Sequence, residues 1–175
     1  MDDTAVEMAQ PEPGLVPVPG SIRRTVLDWR DCWLSEAELM LHQEAHALIV
    51  DLEDVVFKKV KLPESLLGIR ETTRNLIEQT LALWINEVQE RLVDRAHAEL
   101  RFALRNERLP EVAIADLAAN RLVLSATPVL DQLKAAAEAR NLSDLRNLVV
   151  RPSGSILSTV QAHVRALADD VVKRA

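Results

Sequence analysis

The feature that most constrains the fold is a long stretch, from Ile69 to Asn106, that contains neither glycine nor proline. Within it, apolar residues recur at every third or fourth position, which is the spacing of one face of an α-helix. The resulting stripe consists of Ile77, Leu81, Trp84, Val88, Leu92, Ala96, Leu100 and Ala103. A helix over this stretch would be about 57 Å long at 1.5 Å per residue. Because such a helix must bury its apolar face, the sequence predicts an all-α fold, an elongated helical bundle of five to seven helices with one long central helix.

The period of each apolar stripe predicts how its helix packs. From Ile77 to Ala103 the stripe covers 26 residues in seven steps, an average of about 3.7 residues. Since a left-handed coiled coil requires 3.5 residues, we expect this helix to be nearly straight and to lie in a bundle. The last helix, predicted over 156–173, alternates steps of three and four, a heptad pattern typical of close helix pairing. Its seam is Leu157, Val160, Val164, Leu167 and Val171.

Shorter helices are predicted on both sides of the long one. A first helix begins at Ser21, and a capping-box pattern over 35–38 predicts a kink or a break near Leu34. A second helix then runs over 36–60 and ends before Pro63. The remaining predicted helices span 111–123, 128–140 and 143–149, and the last two begin at Thr127-Pro128 and Ser143.

The charge of the chain limits its partners. The net charge is −6, and residues 1–62 carry 12 acidic against 6 basic side chains. No segment forms a strong basic face, so we do not expect nucleic acid as a partner. Residues 1–20 combine prolines with acidic side chains and are predicted to form a disordered tail. This leaves 21–175 as a single helical-bundle domain.

Targeting features are absent from the sequence. The N-terminal residues are acidic, unlike a secretory or mitochondrial presequence, and no apolar run approaches the roughly 18 residues that span a bilayer. We therefore expect a cytoplasmic protein without a membrane span. Cys32 is the only cysteine, which excludes an intrachain disulfide and a cysteine-cluster zinc site, and it predicts a buried, reduced thiol.

Two histidines one helical turn apart form a candidate metal-binding face. His42 and His46 stand at i and i+4, with Glu38 one turn earlier, and imidazoles at this spacing converge on one point. The pattern is not that of a zinc protease, because Gln43 stands where that motif requires glutamate. A solvated or interface face is the alternative interpretation.

The polar side of the long helix carries two further patterns. Asp94 and His97 have the acid-x-x-His spacing of carboxylate di-iron bundles. Such bundles need a second motif of this kind, which is missing from the sequence. A surface face of ion pairs is therefore the preferred interpretation. A candidate contact for an anion or an acidic partner consists of Arg101, Arg105 and Arg108. Neighbouring acidic side chains reduce the positive potential of these arginines.

Residues 114–134 have the loose form of a degenerate helix-turn-helix. The turn glycine is missing, and the second helix offers Asp131 beside Gln132 and Lys134. Two helices joined by a turn for packing is the preferred interpretation, and a DNA-binding regulator is the alternative function.

No catalytic or cofactor-binding motif is present in the sequence: it has no phosphate-binding glycine loop, no nucleophile elbow and no cysteine–histidine signature. The leading hypothesis is therefore a non-enzymatic adaptor or assembly subunit that acts through helix–helix contacts and self-associates as a homodimer or larger. A metal-binding or enzymatic bundle is a second alternative. The candidate interface residues are Trp29 and Trp33, because tryptophan is enriched at contact hot spots, together with Val160, Val164, Leu167 and Val171 of the terminal seam. For the two tryptophans, docking of their helix on its own bundle is the alternative interpretation.

Overall fold

The computed structural model describes residues 19–57, 67–107 and 119–174, and every regular element in these ranges is helical. The all-α bundle predicted from the sequence is therefore confirmed. Residues 1–18 of the tail predicted over 1–20 lie outside the described residues, as does 111–118 of one predicted helix. Residues 19–20 belong to the first helix, so the tail prediction is wrong at that end. The elements are α1 (Pro19–Asp51), a π-helical turn (Leu52–Phe57), α2 (Leu67–Val88), a second π-helical turn (Gln89–Asp94), α3 (Arg95–Ala103), a 3₁₀ turn (Leu124–Ala126), α4 (Pro128–Glu138), α5 (Leu142–Val150) and α6 (Ile156–Arg174).

Helix α1 lies at the centre of the bundle and packs mainly on α5 and α6, with α2 and α3 also against it. It runs without interruption, so the predicted kink or break near Leu34 is wrong. The chain has no glycine or proline from Ser21 to Leu62, and one continuous apolar face outweighs the local capping signal. The buried face consists of Ile22, Val26, Trp29, Trp33, Ala37, Leu41, Ala45, Leu48, Leu52 and Val56.

Helices α2 and α3 form the long helix predicted from the sequence, joined by the second π-helical turn. Its buried stripe ends at Leu104, whereas Ala103 is exposed. From Val88 to Leu104 the buried residues, apart from Val93, follow steps of four, and each such step overshoots an α-helical turn by about 40°. The π-helical turn contains one residue more than an α-helical turn. The extra residue rotates the buried face back by about 100° around the helix axis. The apolar face therefore stays on the core along the whole helix.

Two indole hydrogen bonds fix α1 against the long helix. The Trp29 Nε1–H donates to the Ala96 carbonyl oxygen at 3.0 Å, and the Trp84 Nε1–H donates to the Glu44 carbonyl oxygen at 3.2 Å. A later residue of α1 thus faces an earlier residue of the long helix, so the two run antiparallel. These bonds also satisfy the two indole donors, which would otherwise be costly to bury.

The connections to α4 and α5 differ in detail from the prediction. Thr127 precedes Pro128 as expected, but its hydroxyl donates to the Leu124 carbonyl oxygen at 2.6 Å and makes no bond to α4. Asn141 caps α5, because its Oδ1 accepts the Asp144 N–H at 3.1 Å, so Ser143 does not open that helix. Residues 120–123 are not helical, and the predicted helix over 111–123 therefore does not reach its expected end.

Replacing Trp84 by alanine should lower the free energy of unfolding by about 3–5 kcal/mol, because it empties a large site and leaves the Glu44 carbonyl without the indole. Trp84 is 4% exposed, whereas its neighbour Leu83 is 68% exposed and provides the matched control. Urea unfolding followed by circular dichroism measures both variants. Leu83→Ala should change stability by less than about 0.5 kcal/mol. Equal losses for the two variants would contradict the packing described.

Candidate functional site

The predicted interface residues lie inside the chain's own core. Trp29, Trp33, Val160, Val164, Leu167 and Val171 are all buried, at 7% exposure or less. All but Val171 line the same small void of about 10 Å³ between α1, α3 and α6. The helix–helix contact that their spacing predicts is therefore made within one chain. That they contact a second copy stays an untested prediction.

The candidate metal face on α1 is fully accessible to solvent. Glu38, His42 and His46 are exposed side chains on one side of the helix. In the described parts of the chain, no three His, Cys, Asp or Glu side chains come together as a metal-binding group. Cys32 is exposed too, so the predicted buried thiol is wrong. It precedes the buried Trp33 by one residue, which turns it about 100° away from the core face.

The other two predicted surfaces are only partly described. Arg101 and Arg105 are exposed, and the Arg105 guanidinium lies 3.8 Å from the centre of the Phe102 ring. Arg108 lies outside the described residues, as does the first part of the 114–134 motif. The second helix of that motif is α4, whose exposed side chains include the three polar residues Asp131, Gln132 and Glu138.

The most specific polar arrangement in the described residues is a pair of histidines from two distant helices, which we call the histidine pair. His97 is on α3 and His163 is on α6, and their Nε2 atoms are 2.8 Å apart. The rings stack with their planes at 25° and their centres 5.1 Å apart. His163 lies between Val160 and Val164 of the buried seam, which fixes the direction in which its ring leaves the helix.

Burial governs the protonation of His163. Desolvation, with a smaller contribution from the neighbouring charge of His97, lowers the pKa of His163 to about 4. The ring is therefore neutral at neutral pH. With one Nε2 protonated and the other not, the pair forms a single hydrogen bond, whereas two facing N–H groups would repel each other.

A second polar cluster lies beside the pair, at the π-helical turn of the long helix. Because this turn makes i to i+5 bonds, residues five apart become neighbours, and the Gln89 Nε2 donates to the Asp94 carboxylate at 3.0 Å. Gln89 also donates to the Leu122 carbonyl oxygen and accepts the Leu124 N–H, both at 2.9 Å. Arg121 binds Asp94 through two hydrogen bonds of 2.9 and 2.6 Å. One turn of helix thereby holds the segment 121–124 in place.

This segment forms one wall of an open groove of about 440 Å³. The polar side chains that line it are Asn120, Arg121, His163 and Asp170. His163 thus faces the groove on one side and the void beside Trp29 and Trp33 on the other. Water and small solutes reach the histidine pair from the groove through His163. Both rings also border the void in the core.

The surface of α1 opposite the core carries a different feature, which we call the outer stripe. It consists of Cys32, Ser35, Leu39, Gln43, His46 and Val50, which repeat at steps of three and four and are all exposed. The solvent-facing stripe of a surface helix usually carries charged residues, and this one has none over five turns. Leu39 is 64% exposed in its middle.

Comparison of the chain with protein-family models, with curated proteins and with solved structures gives no match. The site must therefore be interpreted from its own chemistry. Among the described helices, none combines the length and the apolar character that crossing a bilayer requires.

Sequence reasoning identified Asp94 and His97 as a spaced pair but did not connect either to its partner. Asp94 is a member of an ion pair with Arg121, in keeping with the preferred interpretation of this face. His97 meets a histidine 66 residues away, and no local spacing signals a contact of that range. The only sequence signal for His163 is its place within an apolar heptad seam.

Gln89→Ala should lower the free energy of unfolding by about 1–3 kcal/mol, because it leaves the Leu122 carbonyl and the Leu124 N–H without a partner. Gln79→Ala is the matched control, since Gln79 is an exposed residue of the same helix. The denaturant midpoint of unfolding is measured for both variants and compared with that of the unmodified chain. An unchanged midpoint for Gln89→Ala would show that the segment 121–124 does not depend on this side chain.

The stability of the protein should depend on pH through His163. Its pKa in the folded chain is about 4 against 6.5 when unfolded, so the unfolded chain binds more protons between these values. The contribution is fully present above pH 6.5 and is lost as the pH falls towards 4. Each pKa unit corresponds to about 1.4 kcal/mol, and solvent screening of a half-exposed ring reduces the total to about 1–2 kcal/mol.

Chemical unfolding of His163→Gln across this pH range tests the assignment, with the exposed His46→Gln as control. The His163 variant should lose less stability on acidification than the unmodified chain, and the His46 variant should follow the unmodified chain. Identical pH profiles for all three proteins would contradict the burial of the His163 ring.

Proposed function

We propose that this protein is a non-enzymatic adaptor that binds an amphipathic helix of a partner protein on the outer stripe of α1. The observation that carries the proposal is the uncharged, exposed stripe from Cys32 to Val50, on the side of α1 that the bundle leaves open. Recognition of an amphipathic helix uses apolar anchors, and the exposed Leu39 and Val50 provide them within this uncharged stripe.

The charges around the stripe support a basic partner helix. From Asp31 to Phe57 the chain has seven acidic residues and no lysine or arginine. Three of them lie in ion pairs within the described residues: Asp31 with Arg30 at 2.8 Å, Glu36 with Arg95 at 3.3 Å and Glu44 with Arg91 at 2.9 Å. A partner with an apolar stripe flanked by lysine or arginine would complement both the apolar and the acidic parts of this surface.

The same charges disfavour a second copy on this surface. Two α1 helices laid face to face would place one set of carboxylates beside the other, and like charges across an interface cost affinity. Self-association through another surface stays a prediction of the sequence. We also propose the cytoplasm as the compartment, because a lone exposed thiol such as Cys32 persists in its reduced form there.

No observation on the described residues favours the DNA-binding alternative. The described turn before α4 carries Arg121, but its guanidinium is held by Asp94. On α4, the exposed Asp131 would repel phosphate, and Glu138 is paired with Arg74 at 3.2 Å.

A synthetic amphipathic helix of leucine and lysine, about five turns long, provides a direct probe of the outer stripe. Its affinity for the protein, measured by fluorescence anisotropy, should fall about tenfold or more in Leu39→Lys, because the change removes the central apolar anchor and places a charge in the uncharged stripe. Val123→Lys is the matched control, since Val123 is an exposed apolar residue outside α1, in the segment that Gln89 of the long helix binds. A peptide with glutamate in place of lysine should bind weakly to all of these proteins.

Two results would contradict the proposal. The first is equal binding of the lysine peptide to the unmodified chain and to Leu39→Lys. The second is a dimer, seen by light scattering, that Leu39→Lys dissociates and Val123→Lys does not, because the occupant of the outer stripe would then be a second copy.

A further inference from the structure

The histidine pair has the geometry of two metal ligands brought together by the fold. The Nε2 atoms of His97 and His163 face each other at 2.8 Å, from helices that are 66 residues apart in the sequence. The core behind them is closely packed, because Trp29 and Trp33 leave a void of only about 10 Å³ between α1, α3 and α6. Two imidazoles fixed from separate helices lose little further freedom on binding an ion.

The distance between the two nitrogens lies close to what a metal ion requires. Zn²⁺ binds imidazole nitrogen at about 2.0–2.1 Å in tetrahedral geometry, which separates two ligand nitrogens by about 3.3 Å. The rings must therefore move apart by about 0.5 Å in total. The ring centres are 5.1 Å apart, so the two rings meet nearly end to end. Each ring must therefore also turn by about 35° to aim its Nε2 lone pair at a shared tetrahedral ion, and the Nε2–H proton of the pair must move to Nδ1 or leave.

The open groove allows the rest of the coordination sphere to form. His163 lines this groove of about 440 Å³, together with Asn120 and Asp170. Within the described residues no third ligating side chain joins the two histidines. Water from the groove would occupy the remaining positions, and a site of this open kind also accepts an exogenous ligand.

We propose that His97 and His163 bind a divalent transition-metal ion of the zinc type, with water from the groove completing its coordination. The proposal does not depend on the adaptor function. The histidine pair lies over Trp29 and Trp33, on the core side of α1, whereas the outer stripe is on the opposite side of that helix.

The chain contains a competing pair that must be separated from this one. His42 and His46 are one turn apart on the exposed side of α1, and helical histidines at this spacing also chelate metal ions. Because the chain has four histidines in all, His42→Asn/His46→Asn leaves His97 and His163 as the only imidazoles. That double variant removes the competing site without touching the core.

Zn²⁺ affinity is measured by competition with a chromophoric chelator, and Co²⁺ absorption reports the ligand geometry. His42→Asn/His46→Asn should keep the affinity of the unmodified chain, whereas His97→Gln and His163→Gln should each lower it about tenfold or more. Circular dichroism checks that the variants remain folded. In the double variant, the side-chain nitrogen signals of both remaining histidines should shift together on addition of one equivalent of Zn²⁺, which tests the site in a protein with an unaltered core.

The proposal is overturned if the His42→Asn/His46→Asn variant no longer binds Zn²⁺, because the exposed pair would then be the site. It is equally overturned if Zn²⁺ leaves both histidine signals of that variant unmoved, because the pair would then form only a hydrogen bond.

Discussion

Burial of the apolar face of α1 is the constraint on which the rest of the structure depends. That face runs from Ile22 to Val56, and α5, α6 and the long helix all pack against it. Trp29 and Trp33 contribute most, since an indole buries about 150–250 Å² and only a helix of constant direction can present both to the same neighbours. The antiparallel pairing with the long helix and the position of α6 both follow from this contact, and so does the meeting of His97 with His163.

The π-helical turn of the long helix connects that packing to the candidate site. Without the extra residue at Gln89–Asp94, the stripe that continues to Leu104 would rotate off the core. The same turn makes neighbours of Gln89 and Asp94, and these two side chains hold the segment that forms one wall of the groove. A local irregularity that the core requires thus also shapes the surface around the histidine pair, as π-helical turns often do at functional sites.

The sequence predicts which faces are buried better than it predicts what covers them. Apolar spacing locates the long helix and the seam of α6 correctly, because burial on one side imposes a period wherever the partner lies. Apolar spacing does not show that the α6 seam packs against α1 of the same chain. The spacing does not signal the π-helical turn, because the same steps of four from Trp29 to Ala45 occur in a regular α-helix. The capping pattern near Leu34 was misleading, since tertiary packing outweighs local preference. The contact between His97 and His163 could not be predicted from the sequence, because no local spacing pattern links the two residues.

Trp33 and the α6 seam contact each other within one chain. Nuclear Overhauser effects in a mixture of isotope-labelled and unlabelled protein separate contacts within a chain from contacts between chains. Trp33 and Val164 line the same void, so cross-peaks between the indole and the valine methyls should appear in the fully labelled protein. They should be absent when only contacts between labelled and unlabelled chains are selected. Strong cross-peaks under that selection would contradict the account, because the seam would then join two molecules.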